Sequence, residues 1–75
     1  MTHYRISSRV TEVRDGRYIV FVTAAPLGPQ PGDSLTERRE CPSSAQAEAC
    51  RQELSRKLAE CVAAAGGQIV SVEIS

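Results

Sequence analysis

The sequence predicts a small α+β fold: an antiparallel or mixed β-sheet of three to four strands, packed on one face by a single α-helix. Three observations predict it. Asp15-Gly16 stands between two strand-like runs, an apolar stripe at helical spacing ends at Gly66-Gly67, and the run 68–74 alternates in β-branched residues. The element order is β-β-(β)-α-β, with the bracketed strand the least regular, and 75 residues leave room for one domain.

The hairpin comes first. In Val13-Arg14-Asp15-Gly16-Arg17-Tyr18, Asp-Gly supplies the positive φ angles of a two-residue turn, so strands are expected over about 3–14 and 17–25. Such a turn sets Arg14 opposite Arg17, and pairing continues as Glu12 with Ile19, Val10 with Phe21 and Ser8 with Thr23. Alternation then sorts the side chains. Ile6, Val10, Ile19 and Phe21 face the helix, whereas His3, Arg5, Ser7, Arg9, Thr11, Val13, Tyr18, Val20 and Val22 share the opposite face. The second strand is apolar on both sides, which predicts an interior position and some cover on the second face.

Residues 26–34 hold three of the four prolines and two glycines, a loop composition. The stretch 35–41 alternates loosely and carries Glu37, Arg38, Arg39 and Glu40, as a strand guarding a sheet edge would. A helix then opens, with Ser43 as N-cap and Gln46 three residues on to complete a capping box, and Gly66-Gly67 closes it. Ala47, Cys50, Leu54, Leu58, Cys61, Val62 and Ala65 form its apolar stripe; Glu48, Gln52, Glu53, Arg56, Lys57 and Glu60 form the far side, with Glu53 and Lys57 spaced to pair. The last strand, 68–74, places Val70, Val72 and Ile74 on one side to close the core, parallel to the first strand and beside it.

Nine basic residues balance nine acidic ones, so no global field gathers nucleic acid, lipid or an acidic partner, and any electrostatic recognition is local. No run approaches the ~18 apolar residues of a membrane span, and the N-terminus lacks a signal-like apolar run. No membrane association is expected. Three unevenly spaced cysteines suggest free thiols in a reducing, cytoplasmic setting of bacterial type.

The residues predict no enzyme. Cys50 and Cys61 lie on one helix face but ~16 Å apart along its axis, too far to bond, and both suit core packing. Cys41 precedes the helix cap, where the dipole would lower a thiol's pKa, yet the only histidine, His3, is distant in sequence. Zinc-type spacing is missing, and a copper site at the N-terminus would need Met1 retained ahead of His3. No cofactor or metal is expected. Scattered serines give no catalytic triad, and Gly66-Gly67 follows a helix instead of opening one, so it cradles no phosphate.

The face away from the helix carries the functional expectation. Arg5, Arg9, His3 and Thr11 beside Tyr18 could stack a base and contact phosphates, as sheet-based readers of RNA do. The competing expectation covers Val13, Tyr18, Val20 and Val22 with a second copy of the sheet, arginines forming the rim. A small non-enzymatic module, homodimeric through this face, is the first expectation; binding of RNA or single-stranded DNA there, on Arg5, Arg9 and Tyr18, is the second. Thr11, Val20 and Val22 complete the candidate residues.

The element order also resembles that of the HicB antitoxin family, whose partial double-stranded-RNA-binding fold occludes a toxin partner. Arg14-Asp15-Gly16-Arg17-Tyr18 is similar to that family's hairpin, and Gly32-Asp33-Ser34-Leu35 to its Gly-Asp-Thr-Leu segment. The charged stretch 36–40 and the lack of a Leu-Pro-Gly-Cys run depart from it. The resemblance implies a protein-binding domain and assigns no residue.

Overall fold

The structure, a computed structural model, describes residues 2–28 and 34–74. Strands β1 (His3–Glu12), β2 (Tyr18–Pro26) and β3 (Leu35–Cys41) are followed by helix α1 (Ser44–Ala64) and strand β4 (Gln68–Ile74). They build one mixed sheet in the order β3-β2-β1-β4, packed with the helix. Neighbours β1–β2 and β2–β3 are antiparallel, and β4 runs parallel to β1. The α+β class and the position of the last strand follow the sequence. Pro26 ends β2, and most of the expected loop lies outside the described residues, as do Met1 of the copper site and Gly32-Asp33 of the antitoxin-like segment.

The turn forms, but the register differs. Asp15 (φ 60°) and Gly16 (φ 72°) both take positive φ, and the Arg17 N–H donates to the Arg14 carbonyl at 3.1 Å. The Arg17 carbonyl, however, accepts from Val13 at 2.8 Å. Val13 and Arg14 therefore stand together opposite Arg17, a one-residue bulge. Every pair beyond moves by one: Glu12 meets Tyr18, Val10 meets Val20 and Ser8 meets Val22, in place of Ile19, Phe21 and Thr23. A slip of one residue turns a strand over. Val20, Val22 and Ala24 consequently face the helix with no exposed surface, and Ile19 and Phe21 face away from it. The bulge forgoes about 1 kcal/mol of ladder hydrogen bonding, and in return Val20, Val22 and Ala24 meet the helix in place of a set that includes the hydroxyl of Thr23.

The core lies between α1 and the middle of the sheet. Ala47, Cys50, Leu54, Leu58 and Val62 of α1 pack on Ile6, Val20, Val22, Ala24 and Cys41, with Tyr4, Val10, Tyr18, Leu35, Ala59 and Ile69 around them. Each fully buried aliphatic contributes roughly 1.5–3 kcal/mol. The stripe is narrower than expected, because Cys61 and Ala65 are exposed. Ser43 caps the helix by accepting from the Gln46 N–H at 3.2 Å. At the other end Gly66 takes φ 83°, its N–H reaches the Ala63 carbonyl, and that of Gly67 reaches Val62, a Schellman closure.

Charges tie β3 to the helix. On the helix side of β3, Glu37 meets Lys57 at 3.2 Å and Arg39 meets Glu53 at 3.5 Å. Glu53 and Lys57 thus pair with the sheet and not with each other as their spacing suggested. β4 also departs from expectation: Val70 is the extra residue of a bulge, so Ile69, Val72 and Ile74 are the residues on the helix side, and of these Ile69 packs on the core whereas Val72 and Ile74 are 67% and 64% exposed, as Val70 is at 49%. The helix lies over the inner strands and leaves the β4 edge uncovered.

Candidate binding face of the sheet

Pairing across three strands defines what the face away from α1 presents. Thr11, Ile19 and Glu40 form one row, Arg9, Phe21 and Arg38 the next, and Ser7, Thr23 and Thr36 a third. Directly paired residues share a face, with Cβ atoms about 4.5–5.5 Å apart. Phe21 therefore lies between two arginines. Neither Arg9 nor Arg38 enters an ion pair among the described residues, whereas Arg5 meets Glu73 at 3.7 Å and Arg17 meets Glu40 at 3.1 Å. Beside the aromatic row, Thr23 and Thr36 share a hydroxyl hydrogen bond of 3.3 Å. A shallow concavity of about 330 Å³ opens there, lined by Ser7, Ser8, Arg9, Phe21 and Thr23.

Of the residues expected on this face, Arg5, Arg9 and Thr11 are there. Tyr18, Val20 and Val22 are not, because the bulge turns β2 over. Tyr18 sits at the margin of the core, its hydroxyl donating to Glu12 Oε2 at 2.8 Å. That hydrogen bond and the carboxylate's charge raise the phenol above its ordinary pKa. Phe21, Arg38 and Thr23 were missed. The signal for Arg38 lay in β3, where Leu35 and Cys41, the two apolar residues, are an even number apart and so require Arg38 to point the other way.

Cys41 and Cys50 are buried free thiols, and Cys61 is an exposed one. Cys41 is 5% exposed, and burial, joined by its neighbour Cys50, pushes its pKa up against the opposing charge of Arg39. The lowering expected from the helix start does not appear. Among the described residues no group of three or more His, Cys, Asp or Glu side chains is placed to hold a metal ion. No helix among them is long and apolar enough to cross a membrane.

What the fold and face define is a mixed-sheet α+β domain with one face of the sheet uncovered. No family model, curated relative or solved structure matches the chain.

Proposed function

We infer that this chain is a non-enzymatic binding module whose uncovered sheet face takes single-stranded nucleic acid. The row Arg9–Phe21–Arg38 carries the reading. An aromatic ring offers a stacking surface that every base can use, worth about 1–3 kcal/mol, and the flanking guanidinium groups are placed for the phosphates on either side. Ser7, Thr23 and Thr36 add hydroxyl donors and acceptors in the next row.

The homodimer expected through this same face has less support, since Val20 and Val22, its apolar centre, are in the core. A second copy laid face to face on Phe21 would bring unpaired arginines against one another. The module is expected to act in the cytoplasm.

Fluorescence anisotropy with a labelled single-stranded oligonucleotide tests the reading. Binding is expected to weaken with salt at a logarithmic slope of roughly −1.4, about 0.7 for each phosphate met by Arg9 and Arg38. Arg9→Ala with Phe21→Ala should abolish the signal while the far-ultraviolet dichroism is retained. Absence of binding at low salt by the folded wild type would refute it.

A further inference from the structure

We propose that the β4 edge is a self-association edge: two copies pair antiparallel through Val70–Ile74 about a two-fold axis at Val72, joining two four-stranded sheets into one of eight. The sheet has two edges of opposite character. The β3 edge carries four consecutive charges from Glu37 to Glu40, two of them fastened to the helix, the usual protection against a further strand. The β4 edge carries one, Glu73, already engaged by Arg5. It instead exposes Val70, Val72 and Ile74, half to two-thirds open to solvent on a strand rich in β-branched residues. Such an edge is a template for another strand.

A second copy is the occupant because the pattern is self-complementary. Val72 and Ile74 lie on the helix side, in register with Ile6 and Ser8, and Val70 is the extra residue of a bulge, so an antiparallel two-fold sets Val72 against Val72 of the second copy and Ile74 opposite its bulged Val70. In this register Glu73 meets Ser71 of the second copy, so no two carboxylates are opposed. Ser71 in turn lies beside Arg5 of β1, which puts the incoming Glu73 in a row with a cation. Centring on Ser71 instead would oppose Ile69 to Glu73. Centring between Ser71 and Val72 would oppose Val70 to Glu73. Centring on Glu73 would pair Val72 with Ile74 but oppose two carboxylates, so the Val72 register alone among these keeps apolar with apolar without setting like charges against each other.

The two-fold also places both helices on the same side of the joined sheet. The groove between α1 and β4, about 320 Å³ and lined by Ser8, Arg51, Gln52, Ser55, Val72 and Ile74, then faces its copy across the Val72 and Ile74 side chains of both chains. The opposite faces, each with its Arg9–Phe21–Arg38 row, become one continuous surface. The inference does not depend on what that surface binds.

Sedimentation equilibrium of the full chain across the micromolar range tests it. The wild type should dimerise, and Val72→Lys, at an exposed position, should raise the dimer dissociation constant at least about tenfold, equivalent to 1.4 kcal/mol. Phe21→Arg should leave that constant unchanged. In a Cys61→Ser background, Val72→Cys should give a disulfide-linked dimer on mild oxidation and Glu73→Cys should not, since only position 72 faces itself. A wild type that stays monomeric, a dimer indifferent to Val72→Lys, one dissociated by Phe21→Arg, or equal cross-linking at both positions would overturn the proposal. The cross-linking pair keeps the test decisive even if Val72→Lys fails to fold.

Discussion

Val10 and Val20 stand directly opposite each other across β1 and β2, and that pairing decides which side of the second strand meets the helix. It exists because Val13 and Arg14 both oppose Arg17. The surface chemistry of the sheet is therefore set by one residue in a bend.

Deleting Val13 should leave the fold intact. The side chain is 43% exposed, and its removal brings Arg14 alone opposite Arg17 while Glu12 still meets Tyr18. Urea unfolding should change by no more than about 1 kcal/mol, the scale of one hydrogen bond. In the unbulged register the same deletion would turn β1 over and collapse the core, so a large loss of stability would mean that the bulge is wrong.

Adjacent substitutions in β2 should have opposite consequences. Val20→Arg buries a charge where there is no exposed surface and should cost at least about 3 kcal/mol, enough to abolish cooperative melting in a domain this small. Phe21→Arg, on the uncovered face, should melt within roughly 1 kcal/mol of wild type. Thermal dichroism of the two proteins checks this, and reversed ranking contradicts the register.

Gly67 should resist substitution although its backbone is ordinary. A Cβ there would lie 2.6 Å from Tyr4 Cε1 and 2.8 Å from Val62 Cγ1, so Gly67→Ala should cost about 1–3 kcal/mol through overpacking. Combined with Tyr4→Ala, the two losses should fall short of additive, because the ring that obstructs the new methyl is gone. Strict additivity in chemical denaturation would argue against the contact.

Stability should fall on the alkaline side. Cys41 and Tyr18 both have raised pKa values in the folded state, Cys41 chiefly through burial and Tyr18 chiefly through Glu12, so the native chain keeps protons that the unfolded chain has lost. The contribution is complete below the ordinary thiol value of 9.0 and the ordinary phenol value of 10.0, and it is lost as pH climbs through the folded values. Urea midpoints should be level below about pH 8 and decline above it, with Cys41→Ala removing the earlier part of the decline. A midpoint that rises above the thiol value contradicts the assignment.

Much of the fold was legible because local chemistry and global need agree there. Ser43 and Gly66-Gly67 bound the helix by backbone hydrogen bonds that any context would satisfy. The five buried helix positions from Ala47 to Val62 follow the helical period. The positive φ of Asp15 and Gly16 was legible too. The bulge beside them was not, since β2 is apolar on both faces and either side could have been buried; only packing against α1 distinguishes them. That single ambiguity carried Tyr18, Val20 and Val22 to the wrong face and hid Phe21. Arg5, Arg9 and Thr11, on a strand whose alternation is clear, were placed from the sequence. The exposure of β4 was illegible for a different reason, because alternation tells which residues share a side and not how far a helix reaches across it.

The strand order bears on how the chain acquires its structure. β1, at the head of the chain, is an inner strand that needs both β2 and the distant β4 beside it. The hairpin can close early, but the other flank of β1 stays open until residues 68–74 arrive through the long helical crossover. The opening segment must therefore wait for β4, and the sheet closes only after the helix between them has formed.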